Sequence, residues 1–100
     1  MSNHVDWFVD QMKTKFSIDV DRQEVSTESN ELYHEEIDEI LVPSQHLQVL
    51  PNPVLFQLVS YQDPNQNEWI ACIAVEEETF NWLYVVWLKN GESVHYSFYY

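Results

Sequence analysis

The sequence predicts an α+β fold: two helices packed on one face of a five-stranded, mainly antiparallel sheet, in the order α-β-α-β-β-β-β. Three observations lead there. Apolar residues recur at helical spacing over the first sixteen positions. Residues 54–99 alternate β-branched and aromatic runs with short polar turns. One of those turns is Asn90-Gly91, the strongest short hairpin signal, and Gly91 is the only glycine in the chain.

The elements follow in order. Val5, Phe8, Met12 and Phe16 stand three and four residues apart, which predicts an amphipathic helix over 3–16. Ser2 or Asn3 can cap it, and Asp6 and Asp10 fall on its solvated face. A short strand is expected over 23–28, at a sheet edge because Val25 is its one apolar anchor. A second helix is expected over 30–41, with Ser29 or Asn30 as cap and Tyr33, Ile37, Ile40 and Leu41 on one face. Pro43, Pro51 and Pro53 hold 42–53 out of regular structure. Strands are then expected over 54–62, 69–75, 82–88 and 92–99, with turns at 63–68, 76–81 and Asn90-Gly91. Trp82, Tyr84, Trp87, Tyr96, Phe98 and Tyr100 give these strands apolar groups on both faces. Either both faces are covered or one keeps an apolar recess.

A chain of 100 residues, 45% apolar with fifteen aromatics, fits one domain over 1–100. A single cysteine, Cys72, excludes an internal disulfide and fits a reducing compartment. There is no signal pattern and no apolar run of the ~18–20 residues that a membrane span needs. A soluble, cytoplasmic protein is expected.

Charge is the unusual feature. Nine of the seventeen acidic residues lie within 19–39 against one base, Arg22, so nine minus one, or −8, of the formal −13 is concentrated there. On a helix, Glu31/Glu35, Glu35/Glu39, Glu35/Asp38 and Glu36/Glu39 would repel at i,i+4 or i,i+3. Each pair costs roughly 0.2–0.5 kcal/mol. Asp38 and Glu39 would also meet the unfavourable end of the helix dipole. A local violation without compensation points to function. Closely spaced negative charge imitates a nucleic-acid backbone. It argues against nucleic acid or anionic lipid as partner and for a basic protein.

The residues give little for catalysis. His4, His34, His46 and His95 are scattered, with no HxxxH spacing. Cys72 lies in an apolar strand, where thiolate formation is disfavoured. One glycine cannot build a phosphate loop. The cluster Glu35, Glu36, Asp38, Glu39 lacks the turn glycine and alternating ligands of a calcium loop. The expectation is a binding protein, not an enzyme, with no cofactor and no metal.

Two blocks of residues resemble the phage-encoded uracil-DNA glycosylase inhibitors, small acidic DNA-mimic proteins. The first is Glu28-Ser29, followed six residues after Ser29 by Glu35-Glu36-Ile37-Asp38-Glu39-Ile40-Leu41. In the family that run reads two acids, Val, two acids, Val, Ile, at the same distance from a Glu-Ser pair. The second block runs from Tyr61 to the C-terminus and includes Glu78, Trp82, Val85 and Asn90-Gly91-Glu92. The resemblance implies two helices against a five-stranded antiparallel sheet. It implies inhibition of uracil-DNA glycosylase by one-to-one occupation of the enzyme's DNA groove, by a monomer. Carboxylates stand in for phosphates. A pocket between sheet and second helix receives the leucine that the enzyme inserts into DNA.

Carried over by position, Glu28 and Ser29 meet the enzyme's active-site loops, and Glu36 and Glu39 are helix carboxylates facing the partner. Leu32, Ile37, Ile40, Leu41, Ile70, Cys72 and Val85 line the leucine pocket. The chain departs from the family at Thr27, where an amide stands, at Gln57 in an apolar pocket wall, and at Val75 in place of an acid. The linker 42–53 and the N-terminal arm are longer. The alternative reading is a DNA mimic directed at another DNA-binding enzyme, such as a restriction or CRISPR nuclease, which needs no apolar pocket. A third is a small hydrolase or metal-dependent enzyme using the acidic cluster.

Overall fold

Strand pairing in sequence order organises the molecule. The computed structural model describes residues 4–99. Helix α1 spans His4–Phe16, and the strands are β1 Ser26–Leu32, β2 Val54–Gln62, β3 Glu68–Val75, β4 Trp82–Lys89 and β5 Glu92–Phe98. They form one sheet in the order β1-β2-β3-β4-β5, antiparallel throughout. The expected α+β class and five-stranded antiparallel sheet are present. β2 has the expected bounds, and β3, β4 and β5 differ by one residue at one end. Asn90 and Gly91 take φ of 54° and 83°, the positive values of a type I′ hairpin. The expected caps Ser2 and Asn3, and Tyr100, lie outside the described residues.

The second helix over 30–41 does not form. Asn30, Glu31 and Leu32 belong to β1 and pair with Phe56, Leu55 and Val54. A single 3-10 turn follows at His34–Glu36. Asp38 then folds the chain locally: its carboxylate accepts from Ile40 N–H at 2.9 Å, and its carbonyl from Leu41 N–H at 2.9 Å. The like-charge pairs that a helix would have aligned are spread over a strand, a 3-10 turn and a bend. Helical structure appears instead at α2, the four residues Ser44–Leu47, which begins immediately after Pro43. The first strand is also displaced. Residues 22–24 form a 3-10 turn, capped by the Asp21 carboxylate, which accepts from Gln23 N–H at 2.9 Å. β1 therefore starts at Ser26, three residues later than expected.

The two coverings lie on opposite faces of the sheet, not on one. Phe8 and Met12 of α1, both fully buried, pack on Val59, Tyr61, Trp69, Ala71, Ile73, Val75, Val85 and Trp87. Phe8 stacks on Trp87, with ring centroids 5.4 Å apart. Ser17 (φ 58°) ends α1, and Ile18 N–H bonds back to Met12 O at 3.1 Å. On the second face, Ile37, Val42, Leu47 and Leu50 pack on Val54, Phe56, Cys72, Ala74, Tyr84 and Val86. The aromatic stripe read from the sequence divides between the two faces, the register shift where Val75 meets Trp82 putting Trp82 on the same side as Trp87, five residues on. Trp82 and Trp87 join the α1 side. Tyr84, Tyr96 and Phe98 ring His46 on the other, with centroids 4.9–5.7 Å from it.

The β2–β3 turn is pinned by Asp63. Trp69 Nε1–H donates to one carboxylate oxygen at 3.0 Å, while the N–H groups of Asn65 and Asn67 donate to the other at 2.9 Å. The Trp69 bond first, and the Asn67 and Asn65 bonds after it, hold this carboxyl below its ordinary pKa against the opposing effect of burial.

Candidate functional site

The covering on the second face stops short of one end of the sheet. Across β2, β3 and β4 the aligned residues form rows: Phe56–Ala74–Tyr84, then Leu58–Cys72–Val86, then Ser60–Ile70–Leu88. Phe56, Ala74 and Tyr84 are fully buried, and Cys72 and Val86 nearly so at 3% and 1% exposure. Leu58, Ile70 and Leu88 are only partly buried against this cluster. Leu41, on the covering segment, is likewise partly buried against the cluster, and Ile40 projects into solvent at 56% exposure. The result is an apolar strip of leucine and isoleucine, open at one end of the sheet.

One acid borders that strip. Glu28 on edge strand β1 pairs with Leu58, and paired residues of an antiparallel sheet share a face. Glu28 thus stands beside Leu58 with its carboxylate exposed, taking one bond from Asn30 Nδ2 at 3.3 Å. Glu31, Glu35, Glu36, Asp38 and Glu39 are also exposed. One oxygen of Glu36 accepts from Tyr33 N–H at 2.9 Å, which fixes its side chain at the 3-10 turn.

No base approaches these acids among the described residues. Lys13 pairs with Asp19 and Arg22 with Asp6, both at 2.8 Å. Lys15 Nζ lies 3.4 Å from His95, and Lys89 sits 5.1 Å over the Trp69 ring. The negative potential of 24–39 therefore faces outward with no internal partner. Also among the described residues, no group of three His, Cys, Asp or Glu stands close enough to hold a metal ion, and no helix is long and apolar enough to cross a membrane.

The structure brings most of the expected pocket residues together. Leu32, Ile37, Leu41, Ile70 and Cys72 share the second face. Val85 does not. It is buried against α1 on the first face, because strand period two puts Val86, not Val85, opposite Cys72. Ile40 is exposed and packs in neither cluster. Gln57 also lies on the α1 side, where its Oε1 accepts from Ser29 Oγ–H at 2.7 Å, so it interrupts no apolar wall. Glu28 and Ser29 consequently point to opposite faces of β1. Leu58 and Leu88 are the residues that sequence reading missed. The strand register supplies them: Leu58 is aligned with Cys72, and Leu88 with Ile70. Burial pushes the Cys72 thiol up to about 12, so this residue contributes packing and no thiolate.

Comparison of the chain with protein-family models, with curated proteins and with solved structures gave no match.

Proposed function

We propose that the protein inhibits uracil-DNA glycosylase as a DNA mimic, one copy per enzyme, with no cofactor. The observation that carries this reading is the open strip of Leu58, Ile70 and Leu88, with Leu41 partly buried on the same face, Glu28 beside Leu58, and exposed acids over 31–39 that no described base opposes. A DNA-repair enzyme presents cationic and N–H donors to phosphates, and an apolar wedge to the base stack. Carboxylates at the rim offer acceptors to the donors. The strip offers the wedge an apolar seat, worth about 1.5–3 kcal/mol for a fully buried leucine. Both are carried by one folded chain, so binding costs no duplex deformation.

In this reading Glu28, Glu36 and Glu39 occupy phosphate positions. Ser29, with its hydroxyl oriented by Gln57, keeps an acceptor lone pair for the enzyme's loops. Ile40, exposed at 56%, offers the enzyme a further apolar contact. A mimic of phosphates alone, aimed at another DNA-binding enzyme, has no use for the strip, which is why the glycosylase reading is preferred.

Uracil excision by a bacterial uracil-DNA glycosylase, titrated with the protein and with Ile70→Asp, tests the proposal. Wild type should abolish excision near one equivalent, and the folded variant should not. Undiminished excision at large excess of wild type removes the glycosylase reading. Full inhibition by folded Ile70→Asp removes the strip and leaves a phosphate mimic.

A further inference from the structure

We propose that Phe80, in the turn between β3 and β4, is a second apolar anchor, which enters a recess of the glycosylase bordered by lysine or arginine. The identity of the enzyme rests on the inhibitor reading; the anchor itself is argued from the turn.

Residues 76–81 join Val75 of β3 to Trp82 of β4. Glu76 N–H donates to Asn81 O at 2.9 Å, and Phe80 N–H to Glu76 O at 2.8 Å. The turn so closed holds Phe80 at φ 58°. That left-handed region suits Gly, and after it Asn and Asp, because the Cβ of other residues crowds the backbone there. Of the other described non-glycine residues with positive φ, Ser17, Gln66 and Asn90 are polar, and Phe80 alone is large and apolar. Packing does not offset the strain. Phe80 joins neither core cluster, and at 59% exposure it is the most exposed large hydrophobic residue among those described. Glycine here would relieve the strain, and a polar side chain would remove the exposed apolar area. A phenylalanine that carries both costs, with no gain inside the molecule, points to a contact outside it.

Charge gives the chemistry of that contact. Glu76, Glu77 and Glu78 precede Phe80, and all three are exposed. Among the described residues no base pairs with them: Lys13 and Arg22 bind Asp19 and Asp6, Lys15 faces His95, and Lys89 lies over Trp69. The turn also leaves the sheet at the end where the other acids lie. Leu32, the last residue of β1, pairs with Val54, and Val75, the last of β3, pairs with the adjacent Leu55. The strands β1 and β3 are two spacings apart, about 10 Å. The acids of 35–39 and 76–78 thus share one end of the sheet, and an apolar recess that meets Phe80 there is opposed by cations. Ile70 of the open strip lies five residues before Val75, about 17 Å along β3. Strip and Phe80 are therefore separate anchors within the width of one interface of about 800 Å² a side.

Calorimetric titration of uracil-DNA glycosylase with the full chain and with Phe80→Gly, Phe80→Asn and Phe80→Leu tests this. Glycine and asparagine both accept the left-handed backbone, so their melting temperatures should not fall below that of wild type. Their Kd should nonetheless rise about ten-fold or more, as on loss of an anchor. Leucine keeps an apolar side chain and should stay within about five-fold of wild type. Raising the salt should leave the Phe80→Gly ratio unchanged, because the lost contact is apolar. Failure of wild type to bind the enzyme removes the inhibitor reading and this proposal with it. Binding by wild type that Phe80→Gly and Phe80→Asn match overturns the anchor alone. An affinity loss that comes with a lower melting temperature in both variants makes Phe80 part of the scaffold and also overturns it.

Discussion

Reversing the charge of Glu28 separates binding from folding. The side chain is exposed on an edge strand, and its one hydrogen bond, from Asn30, is long at 3.3 Å. Glu28→Lys should therefore leave the melting temperature nearly unchanged, since exposed substitutions usually stay within about 0.5 kcal/mol. Binding is another matter. Opposite unit charges at 4 Å attract by about 1 kcal/mol in bulk water and about 4 kcal/mol at an effective dielectric near 20. Reversal loses that attraction and adds a like repulsion, so the penalty is at least about 2 kcal/mol. That is about thirty-fold in Kd. Glu28→Gln only loses the attraction and should cost about 1 kcal/mol, about five-fold. Calorimetric titration of uracil-DNA glycosylase with wild type and both variants measures the series, and raising the salt should compress it. Equal affinities for wild type and Glu28→Lys would refute the placement of Glu28 against a cationic site.

The other predictions concern the scaffold. Phe8→Ala removes a fully buried ring stacked on Trp87 and should cost about 3–5 kcal/mol in urea unfolding; a loss under about 1 kcal/mol contradicts the packing of α1. Asp63 has its folded pKa lowered, chiefly by the Trp69 indole. It binds its proton less readily folded than unfolded, so its stabilisation is present above the unfolded pKa and lost as pH falls through the folded one. Melting temperatures recorded from neutral to acid pH should fall less steeply for Asp63→Asn than for wild type, and parallel curves would contradict this. Cys72, with its thiol pushed up to about 12, should resist iodoacetamide at neutral pH until denaturant unfolds the chain. Rapid labelling of the folded protein would show an open site.

What the sequence made legible depended on how local each signal was. β2 to β5 are dense in β-branched and aromatic residues and are separated by strong turn formers, so their limits followed from short windows. α1 showed because one stripe of apolar residues carries it. The second helix misled because Tyr33, Ile37, Ile40 and Leu41 keep helical spacing while the chain obeys other constraints. Asn30, Glu31 and Leu32 gain ladder bonds to β2, and the acids avoid a shared helix face. Neither the partner strand nor its register is visible locally.

The apolar strip shows the same division. Ile70, Cys72 and Leu41 were implied as pocket residues by the family resemblance. Leu58 and Leu88 needed the cross-strand alignment, and Val85 was misplaced because a shift by one residue carries a side chain to the opposite face. Gln57 looked like a gap in an apolar wall for the same reason. The acidic segment was plain from composition. That no described base reaches the acids of 28–39 became visible only with the ion pairs to Asp6 and Asp19 and the seat of Lys89 on Trp69.

Competition for the enzyme's DNA groove is the most direct measurement. A fluorescent oligonucleotide carrying a non-cleavable uracil analogue is bound to uracil-DNA glycosylase, and its anisotropy is followed as the protein is added. The account predicts complete release of the DNA near one equivalent, with Glu28→Lys and Ile70→Asp each displaced to higher concentration. DNA that stays bound at large excess of the folded protein would contradict the claim that these carboxylates and this apolar strip stand in for DNA.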